Sequence, residues 1–448
     1  MRKLALRIVY FLVLYLPLED FLLKWVPVPY PVYPGLRQIS DGLILVMVAI
    51  TIGMRLRSTR RFRIIGRGAD LCLGAFVILA LGTVVAREGN VLYTVLNLKA
   101  LLRYVLLLYV LLNLRVKRTE VYTFLRLIYV SLGIQLMVSL IQFVGPVSID
   151  QFFFPRVRDT EVAGVQFKST AIRETEKGYI FGTMTNNISY GGFLLVGLTT
   201  YVTRYIRDRR DLFYWGVVAV FLVLAYMSGS RAVTFAVVLL VGVDHYLSGE
   251  TGRFLQVSIL TVFPLALLVF LSGVTLTDLH VFEVFTAEYL RVAMMQRLGI
   301  LLEVLPQFLT ELRVADVLFG LSPDRAILNR FVADMVEVPT VLTGNVAVIE
   351  DVYWVALPVY YGLVGLTLFG GFLVLIFGQL YRIAWWGKEL LERRLARIAL
   401  LLLVVSVPLN LIGQYFETRQ FSFYLWLMVG VSLSYTYTRT VTDQQASS

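Results

Sequence analysis

The residues of this chain that could do chemistry stand at the ends of apolar runs. Ser228-Gly229-Ser230-Arg231 joins two such runs. Its small residues let backbone N–H groups and hydroxyls approach a ligand, and a helix starting near Arg231 presents its positive end, so the four residues suit an anion. The plainer reading of Arg231 is an anchor that snorkels to headgroups. Arg291 and Arg297 lie in the stretch from Tyr289 to Leu312, where Met294, Leu298, Leu301, Leu302, Leu305, Phe308 and Leu309 recur at helical steps. Six residues of helix turn through about 240° beyond a full circle, so the two arginines do not share a face. Arg297, beside Leu298, flanks the apolar stripe and can reach toward the bundle, whereas Arg291 fits a solvated basic face as well as a binding role. Glu350 and Asp351 directly precede a long apolar run. They suit helix capping and the helix dipole, or a general base that takes the proton of a sugar hydroxyl. Tyr179 to Asn187 brings aromatic and amide groups, Asn186 and Asn187 among them, to the mouth of another run, where sugar binding and ordinary capping both use them.

Other chemistries are missing from the sequence. There is no G-x-x-x-x-G-K-[ST], no pair of aspartates two residues apart and no H-E-x-x-H, so nothing points to ATP or a nucleotide sugar. Cys72 is the single cysteine, and His245 and His280 stand far apart. Neither a disulfide framework nor a metal motif is expected. An enzyme built on these residues acts without a cofactor on a substrate that is already activated.

The elements that must position these residues are apolar helices. The chain has 448 residues, 58% of them hydrophobic and 16% charged, with a mean hydropathy of +0.76. A soluble domain carries about 25% charged residues. Twelve apolar runs read as membrane spans, at 4–18, 39–54, 69–86, 98–114, 121–145, 182–204, 212–229, 231–247, 254–272, 352–381, 398–413 and 421–438. The whole chain reads as a single transmembrane domain, with no cleavable leader in its first run. Arg55 to Arg67, Arg115 to Arg126, Arg204 to Arg210 and Arg382 to Arg397 fall on one side of that arrangement. Basic short loops stay in the cytoplasm, so both termini are expected there. The net charge of +11 is then mostly orientation signal rather than a nucleic-acid surface, and no nucleic-acid partner is expected. The opposite side is net acidic, which makes Arg231 and Arg297 more telling than the total charge. It carries two long segments, 146–181 and 273–351, the second inserted between the ninth and tenth spans. Gly320 to Asp324 reads as a turn, and the polar tail from Asp443 to Ser448 reads as disordered.

In order and topology these features resemble the O-antigen polymerase/ligase superfamily (Wzy- and WaaL-like). The shared features are S-x-S-R at a span junction, a glycine and paired asparagines opening the preceding span, and an arginine-bearing outer helix followed by a glycine turn. An E-D-x-Y…Y-G-L-x-G segment, Glu350 to Gly365, then enters the next span. The resemblance runs over most of the chain, best from about 179 to 370. It implies an all-α polytopic membrane protein with a GT-C-type fold in the bacterial inner (cytoplasmic) membrane, its site facing the periplasm. It implies a glycosyltransferase whose donor and acceptor are oligosaccharides linked to undecaprenyl pyrophosphate in the bilayer, with inversion at the anomeric carbon and no metal. Arg231 and Arg297 would act on the pyrophosphate, Glu350 or Asp351 as the base, and Ser230, Arg291, Asn186, Asn187 and Tyr353 in substrate binding. The ligase branch commonly has a His-Asn pair where this chain has Glu350-Asp351, which favours the polymerase branch. A ligase that moves the glycan to a lipid A core or to protein is the alternative, and a small-solute transporter the second. A Wzz-like chain-length regulator is a partner that the polymerase reading allows.

Overall fold

The computed structural model describes residues 1–26, 29, 32–57, 62–86, 91–145, 152–153, 157–162, 165–170, 180–184, 187–205, 212–248, 305–323, 352–411 and 413–447. The protein is helical. In chain order the elements are α1 (Arg2–Tyr15), α2 (Glu19–Lys24), α3 (Tyr33–Leu36), α4 (Ile39–Leu56), α5 (Arg67–Ala86), α6 (Val91–Leu114) and α7 (Arg118–Val144). After them come α8 (Asn187–Val202), α9 (Leu212–Met227), α10 (Arg231–Leu247), α11 (Leu305–Thr310), α12 (Val314–Phe319), α13 (Tyr353–Trp386), α14 (Leu390–Leu409) and α15 (Arg419–Ser447). Five stretches among the described residues are long and apolar enough to cross a bilayer: Ile39–Leu56, Arg67–Ala86, Thr94–Leu114, Arg118–Val144 and Tyr353–Trp386. Eleven of the twelve expected runs coincide with helices, and the run at 254–272 lies outside the described residues. The first run is shorter than expected. α1 ends at Tyr15, before Pro17, whose ring and missing N–H do not continue a helix.

Beside the helices, the segment 146–181 holds a short antiparallel pair, β1 (Val157–Val162) with β2 (Val165–Thr170). Val157, Thr160, Val162, Val165 and Thr170 are β-branched, which suits a pleated strand. The polar tail is not an irregular end, because α15 runs on to Ser447. Extending a formed helix adds a hydrogen bond for each residue fixed, which favours continuation through Gln444, Gln445 and Ala446. Within the segment 273–351, the amphipathic stretch expected to reach Leu312 is described only from Leu305. It stops at Thr310 and restarts as α12.

At the expected inner end, arginines cap helix C-termini. Arg2 donates to Leu114 O at 2.8 Å and Arg115 O at 3.1 Å, Arg394 to Thr200 O at 3.1 Å, and Arg397 to Leu247 O at 3.3 Å. Orphan carbonyls and the negative end of the helix dipole both favour a cation there. His245 sits at the same end. Its Nδ1 lies 2.9 Å from Val241 O and its ring packs against Trp215 and Tyr214, which makes it a packing residue.

Candidate functional site at the expected outer end

Irregular backbone inside a helical bundle must have every polar group satisfied. Residues 180–184 meet that demand through two glutamines of α7, Gln135 and Gln142, seven residues apart and so on one helix face. Gln142 Oε1 accepts from Phe181 N at 3.2 Å and Gly182 N at 3.0 Å, while its Nε2 donates to Gly182 O at 2.9 Å. Gln135 Oε1 accepts from Thr183 N at 2.9 Å, and its Nε2 donates to Thr183 Oγ1 at 2.6 Å. Thr183 Oγ1 donates in turn to Pro17 O at 2.7 Å. Gly182 has φ of 57°, and a Cβ there would lie 2.2 Å from Gln135 Oε1. The glutamines were not among the residues singled out from the sequence. Their spacing of seven on an apolar helix was the available signal.

This stretch meets the Ser228–Arg231 turn directly, since Ile180 N donates to Met227 O at 3.1 Å. Ser228 Oγ donates to Ala225 O at 2.6 Å and accepts from Ser230 N at 3.3 Å. Gly229 takes φ of 70°, and buried Ser230 is the N-cap of α10 with its O accepting from Thr234 N at 3.0 Å. Gly191 of α8 lies so close to Val233 of α10 that a Cβ would stand 2.4 Å from its side chain. The starts of α8 and α10 therefore lie side by side. Arg231 is the first residue of α10 and Asn187 the first of α8. Their side chains, and Asn186 altogether, lie outside the described residues, so no contact is assigned to them.

The start of α13 reaches the same end. Its N-cap is Val352, so Glu350 and Asp351 precede the cap and neither fills it. Both carboxylates, with Arg291 and Arg297, lie outside the described residues. Tyr353 is buried with its ring against Phe416 and Trp354, and Trp354 Nε1 donates to Val407 O at 2.8 Å near the end of α14. The ring of Tyr353 is a packing element at the mouth of the bundle.

α13 is broken at Gly362, with φ of 71° and ψ of 177°. The carbonyls that the break frees, Val359 O and Tyr360 O, accept from Leu321 N at 2.8 Å and Ser322 N at 3.2 Å. The expected turn at Gly320 thus becomes a strap that crosses the break, and Thr83 Oγ1 of α5 donates to Phe319 O at 3.0 Å beside it. A Cβ on Gly320 would stand 2.4 Å from Tyr360 O, and one on Gly362 2.1 Å from Leu318 O. Only two glycines allow this crossing.

A third feature was missed in the sequence: an ion network that joins α2, α4, α6 and α15. Arg419 Nη1 lies 3.0 Å from Glu19 Oε2 and Nη2 lies 4.0 Å from Asp41 Oδ2. Lys99 and Arg103 approach that same Asp41 oxygen at 2.8 and 3.6 Å, and Arg37 pairs with Asp20 at 3.1 Å. Ser40 Oγ donates to Glu19 Oε1 at 3.2 Å, and Arg103 Nη2 to Glu417 O at 2.7 Å. Burial lifts the Glu19 carboxyl above its ordinary range, and Arg419 pulls in the opposite direction. Pro17 links this network to the 180–184 stretch. Among the described residues, no three His, Cys, Asp or Glu side chains gather as a metal site.

No family model matches the chain, and no curated protein matches it.

Proposed function

We propose that the protein is a membrane glycosyltransferase of the polymerase kind, which joins lipid-pyrophosphate-linked oligosaccharide repeats on the periplasmic face of the bacterial inner membrane. The observation that carries this reading is the meeting of the 180–184 stretch with the Ser228–Arg231 turn. It sets two helix starts side by side and puts a cation, Arg231, at the first position of one of them. A cation opposes the positive end of a helix dipole, and an anion joining Arg231 would offset that. A diphosphate on a lipid carrier is such an anion and is also a good leaving group. In the proposed step a sugar hydroxyl attacks the anomeric carbon with inversion, Glu350 or Asp351 takes its proton, and the bond to the diphosphate oxygen breaks. Arg231 and Arg297 stabilise the charge on the departing group. Twelve spans with both termini inside belong to the same proposal. The helix pairing supports it, because Arg397 ties the inner ends of α10 and α14 and Trp354 ties α13 to the outer part of α14.

The test is incubation of purified protein with lipid-linked repeats alone. A ladder of multiples is the expected product, lost in Arg231→Lys and Arg297→Ala, and slowed in Glu350→Gln or Asp351→Asn with donor binding kept. Product only after a separate acceptor is added means the ligase alternative. Solute flux with no glycan product means the transporter.

A further inference from the structure

The ion network at the expected outer end has an asymmetry. It contains three carboxylates and four cations, and the carboxylates are sealed in: Glu19 is 0%, Asp20 2% and Asp41 5% exposed. Two of the cations are not sealed. The side chains of Arg37 and Lys99 are 37% and 36% exposed. Both are tied to the turn that leads into α4. Lys99 Nζ donates to Gln38 Oε1, the residue after Arg37. Arg419, which spans to Asp41, also donates to Arg37 O at 2.5 Å. Among the described residues, the buried Arg37 Nε has no hydrogen-bond partner. The network thus holds two partly exposed cations at the surface.

That surface lies at a particular depth. Arg37 stands just before the apolar stretch Ile39–Leu56, and Lys99 near the start of Thr94–Leu114. Beside Arg37, α2 carries an aromatic rim. Phe21 packs on Phe152 and Phe153, Trp25 on Phe152, and Lys24 Nζ donates to Phe152 O at 2.7 Å. Trp25 and Phe152 remain 53% and 50% exposed. Trp at the end of apolar helices marks the headgroup level of a bilayer, and Trp25 is the ring of that kind here. The basic excess on the other side of the protein is explained by orientation, but a basic pair here opposes that rule.

We infer that Arg37 and Lys99 form a binding site for the phosphate of an anionic phospholipid, with Trp25 and Phe152 against its glycerol and upper acyl region. The chemistry fits. Arg offers a planar donor fork to phosphate oxygens and Lys a mobile point charge, and the buried carboxylates orient both. Ordinary snorkelling asks only for exposed cations. It does not ask for three buried acids, which cost desolvation energy, to hold them in place. The site is separate from the Ser228–Arg231 turn, and the inference stands whether or not glycosyl transfer does.

The test is thermal unfolding of the full chain in neutral detergent with added phosphatidylglycerol, phosphatidylcholine or inorganic phosphate. Phosphatidylglycerol raises the unfolding temperature by about 2–4 °C, as expected for a ligand that binds only the folded state. The other two do not. Arg37→Gln/Lys99→Gln abolishes the rise. Removing a cation strands a buried carboxylate, so the neutral pair Arg37→Gln/Asp20→Asn is measured alongside and also loses most of it. Lys388→Gln, at the other end, keeps it. A rise that survives in both variants, that disappears in Lys388→Gln, or that phosphatidylcholine or inorganic phosphate reproduces in full overturns the site.

Discussion

Glu19 has no exposed surface, yet it faces a guanidinium, and the balance of those two effects can be read from its titration. Burial raises its folded-state pKa, with Arg419 opposing. A raised carboxyl pKa means that the folded protein holds the proton more tightly than the unfolded chain. Its contribution to stability is then complete below its ordinary value of 4.5 and is lost as pH rises through the folded value. Glu19→Gln keeps the shape and does not titrate. The variant should therefore unfold at a higher temperature than the natural protein at pH 7, and the gap should close as the pH falls towards 4.5. A gap that stays constant with pH would show that burial does not dominate at Glu19. Arg419→Met makes the contrast at neutral pH. It strands Glu19 and weakens the hold on Asp41, and breaking a buried pair in this way costs roughly 3–5 kcal/mol.

Among the elements, α13 departs furthest from a plain apolar run. Its sequence reads as one long span, and Tyr361-Gly362-Leu363 is apolar enough to pass as helix. The break arises from its partner, the Gly320 strap, which supplies the N–H groups for Val359 O and Tyr360 O. Gly362→Ala faces two obstacles, a left-handed φ of 71° and a Cβ placed 2.1 Å from Leu318 O. Backbone strain of this kind costs about 1–3 kcal/mol, and the backbone clash adds to it, so a clear fall in unfolding temperature is expected. Gly370→Ala, on the same helix with nothing within 4 Å, should leave it unchanged. Equal effects from the two substitutions would mean that the strap contributes no stability. The helices themselves were legible because apolar length and polar ends are local properties. The turn at Gly320 was legible from composition, but its docking was not, because an unwound span differs from a wound one only by the neighbour that fills it.

At the scale of the molecule, the helices were readable from their apolar length, whereas the ion network was not. Arg419 and Glu19 are separated by 400 positions, and no local pattern joins them. Their common location follows only once packing brings α2, α4, α6 and α15 together. The arginine caps carry the same argument in the opposite direction. Arg2, Arg394 and Arg397 each bond the C-terminal end of a neighbouring helix, so arginines at the end expected to face the cytoplasm also tie helices together. A charge that stabilises packing at that end need not have been retained for orientation, and the two roles can be separated by labelling. In a Cys72→Ser background, Lys388→Cys probes the arginine-capped end and Glu311→Cys the segment between α11 and α12; both positions are exposed. With a membrane-impermeant maleimide on intact spheroplasts, Glu311→Cys should label at once and Lys388→Cys only after permeabilisation. The reverse pattern would put the capped end outside, assign those arginines to packing alone, and turn the proposed site towards the cytoplasm, where periplasmic glycan assembly could not use it.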